Sequence, residues 1–345
     1  MHMADALISP AVGGTMWLAT AGVLSYSITK IKNTMDDRKV PLMGVMGAFV
    51  FAAQMINFTI PGTGSSGHIG GGMLLSILLG PYAGFLTLTS ILLIQALFFA
   101  DGGLLSFGCN VINMGLFTCF FAYPYIYKRI MRKGYSKKRL IWAIVISAVI
   151  GLQLGAFSVT VETLLSGKTE LPFVTFVALM QPIHLAIGLI EGIVTAAVIS
   201  FIYNASPELL YQSSLTNNKS GLSPKKVIAI LAIVALVTGG FFSWFASSNP
   251  DGLEWSTTKV AGQDGLKSPE GIHKTFAEIQ EKIAFLPDYN FKNRTKNEEQ
   301  SKKPLVSENS GTSVSGIIGG VLTLIIAGLT GFFVNLYKKK HRKST

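Results

Sequence analysis

Met1-His2-Met3 at the head of the sequence offers three nitrogens to one metal ion: the terminal amine, the His2 backbone amide and the His2 imidazole. Amine and amide close a five-membered chelate ring and amide and Nδ1 a six-membered one, so two residues fill three positions of a plane. A fourth donor is needed. His68, in Pro61-Gly62-Thr63-Gly64-Ser65-Ser66-Gly67-His68-Ile69-Gly70, is the histidine whose loop can bring one. Planar nitrogen coordination suits Ni(II) or Cu(II), whereas zinc takes a tetrahedron and magnesium and calcium take oxygen. Nickel is the first expectation. Amide and amine must both lose a proton to bind, so affinity should fall in acid. A histidine in second place is weak evidence alone, and His68 can equally shape a polar loop whose glycines allow tight turns.

These donors can meet only if the chain carries them to the same side of a membrane. With 345 residues, 49% hydrophobic, 14% charged and a mean hydropathy of +0.47, the composition is that of an all-α integral membrane protein. Spans need roughly 20 apolar residues, and such stretches lie at 8–29, 40–58, 105–127, 140–165, 173–203, 226–247 and 314–337. Residues 70–100 are long for one span and short for two, but Gly80-Pro81 breaks them, since proline removes a donor and clashes one turn back. Positive charge decides between these readings. Lys and Arg gather at 30–39, 128–139, 219–226 and 338–343, and such loops stay in the cytoplasm. Residues 40–127 must then cross four times, twice within 70–100, through a short helix of about 11 residues and a fuller one. The expectation is a seven-helix module with its amino terminus outside, followed by two more helices and a cytoplasmic carboxyl terminus. Met1, His2 and the His68 loop all fall on the outer side. The net charge of +11 is an orientation signal directed at anionic lipid or a cytoplasmic partner, and nucleic acid is not expected.

A rival reading of the amino terminus is a signal peptide cut after Ala19-Thr20-Ala21, but no basic segment precedes the apolar run and Pro10, Gly13 and Gly14 interrupt it. Cys109 and Cys119 fall in one span, so neither a disulfide framework nor a thiol cluster is indicated. Asn110 and Asn113 share a helix face; they can hydrogen-bond the ligating imidazoles or pair helices. His184 and Glu191 lie seven apart on one face of another span, where an ionisable group is a functional candidate, although helix pairing is the plainer role. The same holds for Gln54, Asn57 and Gln95. Ala11, Thr15 and Ala19 form a small-residue stripe suited to close helix approach, within the chain or with a partner. Ser166-Gly167-Lys168-Thr169 superficially matches the end of a nucleotide-binding loop, but Glu162 stands where its first glycine belongs, so any ATPase must act in trans.

Residues 206–225, rich in Ser, Asn and Lys, form a cytoplasmic linker between a module at 1–205 and a two-helix unit at 226–345, whose outer loop spans about 248–313. In that loop Asn249-Pro250-Asp251-Gly252-Leu253-Glu254 is first a turn and a helix start; the carboxylates of Asp251 and Glu254 can also draw metal. Residues 293–313 are polar and charged, a composition that favours mobility. His273 and His341 stand isolated and carry no assigned role.

Taken together, Met1-His2-Met3 with Ala6 and Pro10, the run Gly67-His68-Ile69-Gly70-Gly71, Asn110-Val111-Ile112-Asn113-Met114-Gly115, and His184 through Glu191-Gly192 resemble the CbiM/NikM-type capture subunits of energy-coupling factor transporters for nickel and cobalt. The resemblance covers about residues 1–205, and the Pro-Asp-Gly-Leu-Glu string resembles the PDGLE domain found with such systems. It implies that Met1, through its amine, His2, through amide and imidazole, and His68 hold transported Ni(II) or Co(II) as substrate, with no resident cofactor and no catalytic residue. It also implies a membrane coupling subunit of the NikQ/CbiQ kind and cytoplasmic ATPases of the NikO/CbiO kind. Two other classes stay open: a vitamin-capturing subunit, which should line an aromatic pocket, and an intramembrane metalloenzyme, which needs an open coordination position and a base.

Overall fold

The computed structural model describes residues 2–35, 39–168, 171–210, 221–262, 271–291 and 305–342. Met1 and Thr169 lie outside the described residues, as does the side chain of His341. Helix α1 (Pro10–Thr34) starts where Ser9 accepts the Val12 N–H and Pro10 takes the first turn, where its missing donor costs nothing. Helix α2 (Lys39–Gln54) leads into an antiparallel ribbon of β1 (Phe58–Ile60) and β2 (Ser65–Gly67), paired Phe58 to Gly67 and Ile60 to Ser65. The sequence expectation ran a helix through residue 58. The backbone instead turns extended after Gln54, because the Pro-Gly-Thr-Gly run at 61–64 supplies a hairpin turn with Gly62 and Gly64 at positive φ.

Helices α3 (Gly72–Leu79) and α4 (Pro81–Phe98) meet at the expected break, where Gly80 adopts φ +85°. At about 1.5 Å per residue the eight residues of α3 extend about 12 Å, less than half of a hydrocarbon core. Helix α3 is too short to span alone, yet His68 before it and Asp101 after α4 both lie beside His2, so the α3–α4 hairpin returns the chain to the same end of the bundle. Helix α5 (Phe107–Met131) is wound in the wider π form over Ile112–Tyr127, a stretch containing Pro124. Helices α6 (Lys137–Leu165) and α7 (Phe173–Ala205) follow and pack along each other; Gly188 and Gly192 on α7 bring it against the Val149 and Val145 backbone of α6. Among the described residues five helices are long and apolar enough to cross a bilayer: α4 to α7 and the Ser310–Lys338 part of the last helix. Large apolar side chains such as Leu18 and Val174 point outward, 77% and 78% exposed, which lipid tolerates and water does not. The protein is an integral membrane protein.

After α8 (Pro224–Gly240) come the short helices α9 (Gly252–Ala261) and α10 (Ile272–Ile283), then α11 (Leu305–Arg342). Helix α11 lies against α2, with Gly319 accommodating the Phe51 ring and Gly44 facing the Leu324 carbonyl. Between membrane helices there is no water to expel, so close van der Waals fit carries such contacts. At the end of the bundle that carries the ribbon, the second unit is stitched to the first. Ser66 on β2 donates its N–H to Pro250 (2.8 Å) and its hydroxyl to Asn249 (2.7 Å), Ser247 donates to Asn57 (2.7 Å), and Gln280 on α10 donates to Ala96 and Gly102 (2.8 and 2.7 Å). His273, without a role in the sequence, binds the Ile8 carbonyl through Nε2 at 2.8 Å.

Candidate metal centre

The amino-terminal segment enters the bundle as extended backbone, so its main-chain groups need partners inside. Met3, fully buried, donates its N–H to Asn110 Oδ1 at 2.7 Å. Its carbonyl accepts from the Ser106 hydroxyl (2.5 Å), the Gly103 N–H (2.9 Å) and Asn110 Nδ2 (3.2 Å). Asp5 accepts the Ser106 N–H at 2.9 Å, and a Cβ at Gly103 would sit 1.8 Å from that carboxylate. The loop joining α4 to α5 is thus shaped to hold residues 3–5, which leaves His2 at a defined position.

His2 and His68 stack with ring centroids 5.1 Å apart and planes 26° apart. His2 Nε2 lies 3.1 Å from Gln95 Oε1, and Nδ1 lies 3.3 Å from Asp101 Oδ1. Gln95 donates to Gln54 Oε1 (2.9 Å) and Gln54 donates to the Gly70 carbonyl (2.8 Å). His68 turns Nδ1 to the Ile69 carbonyl at 3.0 Å, leaving Nε2 as the nitrogen that can ligate. Burial holds both imidazoles below the ordinary histidine value, with Asp101 opposing the shift at His2, and His68 is pushed down to about 3. Neutral imidazoles are what a metal requires. Beside His2 opens a cavity of about 480 Å³ walled by Asp101, Asp251, Glu254, Thr257 and Asp288, a carboxylate-rich approach that favours cations.

The remaining candidates are distributed around this pair. Asn110 holds the Met3 backbone rather than an imidazole, and Asn113 donates to Glu162 at 2.8 Å and touches the Met3 sulfur at 3.6 Å. Glu191 on α7 accepts the N–H groups of Gly70 (2.6 Å) and Gly71 (3.1 Å), anchoring the loop that bears His68. His184 donates Nδ1–H to the Met180 carbonyl at 2.8 Å; its Nε2 has no hydrogen-bond partner among the described residues. Gln95, expected to pair helices, is the side chain that meets the His2 ring. Asp251 serves the turn role expected of it, accepting the Glu254 N–H at 2.7 Å to cap α9, and also borders the His2 cavity. Among the described residues no group of three or more His, Cys, Asp or Glu is arranged to hold an ion.

The model of the family described as the cobalt uptake substrate-specific transmembrane region, CbiM, matches residues 2–209. The chain belongs to the CbiM family. Residues 225–336 match the PDGLE domain, so this is a CbiM/NikM-type unit fused to a NikN-like one. Fused nickel transport proteins named NikMN, from Archaeoglobus fulgidus and Rhodobacter capsulatus, are 31% and 28% identical to it, over 98% and 95% of this chain and 99% and 96% of theirs. The cobalt transport protein CbiM of Geobacter sulfurreducens is 26% identical over 69% of this chain and 70% of its own. A crystal structure of a truncated transition metal transporter superposes with a TM-score of 0.52 at 28% identity, covering 59% of this chain and 98% of that one.

Proposed function

We propose that this CbiM-family chain is the substrate-capturing membrane subunit of an energy-coupling factor transporter, binding Ni(II), or Co(II) as the second choice, at an outward-facing four-nitrogen site. The Met1 amine, the His2 amide, His2 Nδ1 and His68 Nε2 are the donors. The cargo is substrate, and ATP hydrolysis belongs to separate cytoplasmic subunits acting through a membrane coupling subunit. The seven-helix unit at 1–205 and the two-helix unit at 226–345 share this task, with the amino terminus outside and the carboxyl terminus in the cytoplasm.

The observation that carries the reading is the spacing of the two rings. In a planar chelate the His2 amide sits between the amine and Nδ1, so His68 must lie beside Nδ1 rather than across from it. With metal to imidazole bonds of about 2.0–2.1 Å, adjacent rings put their centroids about 4.5 Å apart and opposed rings about 6.4 Å. The 5.1 Å separation is nearer the adjacent arrangement. Support also comes from the relatives named as nickel and cobalt transport proteins. The test is metal analysis of the purified chain and of His2→Ala and His68→Ala, together with mass spectrometry of the intact amino terminus. Loss of nickel in both variants is expected, and full occupancy in either refutes that ligand.

A further inference from the structure

The two histidines are wired to one carboxylate through consecutive peptide groups. The His68 ring meets the Ile69 carbonyl at 3.0 Å, and the N–H of that same peptide, on Gly70, donates to Glu191 Oε2 at 2.6 Å. The next peptide repeats the pattern from the other ring: its Gly70 carbonyl accepts from Gln54, and its Gly71 N–H donates to Glu191 Oε1 at 3.1 Å. A backbone carbonyl can only accept, which fixes the direction of the whole chain. Gln54 must present its NH2 to Gly70 and its oxygen to Gln95; Gln95 must then present its NH2 to Gln54 and its oxygen to His2. A neutral His2 therefore carries its proton on Nε2, and His68 carries its proton on Nδ1.

We propose that Glu191 is the common anchor of two hydrogen-bond chains that hold His2 and His68 in opposite tautomers, each with its lone pair turned toward the metal position. This rests on the metal reading given above and adds to it three positioning residues, Glu191, Gln54 and Gln95. For His2 the arrangement frees Nδ1, the nitrogen that a six-membered ring with its own amide requires; for His68 it frees Nε2. Asp101 competes for the His2 proton from the other side. Its 3.3 Å contact is longer than the about 2.7–2.9 Å of a charge-assisted N–H to carboxylate bond, and its second oxygen already accepts the Tyr289 hydroxyl at 2.5 Å. A proton on Nδ1 would also leave the buried Gln95 oxygen facing a bare ring nitrogen. Polarisation along each chain raises the donor strength of the free nitrogen, as a carboxylate behind a ligating histidine does.

The tautomers can be read without metal. In the full chain labelled with [15N]histidine and held metal-free in lipid nanodiscs, ring-nitrogen shifts distinguish an N–H from a lone-pair nitrogen; the His2 and His68 signals are identified by their loss in the two alanine variants. The parent should show His2 protonated on Nε2 and His68 on Nδ1. Gln95→Leu should mix the tautomers of His2 and leave His68 unchanged, while Gln95→Glu, which keeps an acceptor, should preserve the parent tautomer. Glu191→Gln, whose NH2 must face one of two peptide N–H groups, should disturb His68, and nickel affinity should drop about 10- to 100-fold in Gln95→Leu and Glu191→Gln. Should Glu191→Gln fail to fold, Gln54→Leu carries the same test on the His2 chain. Finding the proton of His2 on Nδ1 in the parent, or parent tautomers in both Gln95→Leu and Glu191→Gln, overturns the proposal. Nickel retained in His68→Ala would instead sink the metal reading while leaving the tautomer result intact.

Discussion

Removing the Asn110 side chain should weaken metal binding although Asn110 touches no proposed ligand atom. In Asn110→Ala the Met3 N–H loses its 2.7 Å acceptor inside a fully buried segment, whereas the Met3 carbonyl keeps Ser106 and Gly103 as donors. The loss is then one unpaired buried donor, about 1–3 kcal/mol against the docked form of residues 2–5 and nothing against the undocked form. If the metal binds only the docked form, affinity falls by that differential, about 5- to 150-fold. Titration calorimetry with Ni(II) on the full chain in nanodiscs measures it. Thr20→Ala, which removes a 3.0 Å hydroxyl bond from α1 to the Gly108 carbonyl of α5 away from residues 2–5, is the control and should stay within about twofold. Asn110→Ala binding nickel as tightly as that control would refute the idea that docking of the amino-terminal segment builds the site.

Nickel affinity should rise with pH more steeply than tenfold per unit between about pH 5.5 and 7, because amine and amide both release protons on binding. His68, pushed down to about 3 by burial, holds none to release there; a flat dialysis profile over that range would remove main-chain nitrogen from the site. Gly252→Ala places a Cβ 2.5 Å from Ile183 Cγ2 and should lift α9 off α7, seen as faster proteolysis between residues 247 and 262. Combining it with Ile183→Ala should restore resistance. Asp251→Ala removes the cap of α9 and should cost about 1 kcal/mol locally, or about fivefold faster amide exchange at residues 253–256, while Asp251→Asn should exchange like the parent.

Apolar run length and the Gly80-Pro81 break were enough to locate α1, α2 and α4 to α7, because lipid forces the backbone to satisfy itself within each helix. The pairing of His2 with His68 was legible for a different reason: chelate chemistry limits which residues can share an ion. The ribbon at 58–67 was not, since three-residue strands bounded by Gly and Pro leave little periodicity to read. Gln54 and Gln95 looked like ordinary helix-pairing amides. Their spacing of 41 residues carries no local signal, and only the packing of α2 against α4 turns them into neighbours with a direction. The Asn110 contact was missed in detail because a helix face predicts which way a side chain points, but not that a backbone segment will be threaded beside it.

The ribbon that precedes His68 donates its last hydrogen bonds to the carbonyls of Asn249 and Pro250, more than 180 positions further along the chain. During synthesis the free edge of β2 must therefore wait, its N–H and hydroxyl without these partners, until α8 and Pro250 have been made. A product that stalls before that point reaches the membrane with an unfinished loop beside its histidine. Order of manufacture, and not only the final contacts, thus governs when the loop bearing His68 is complete.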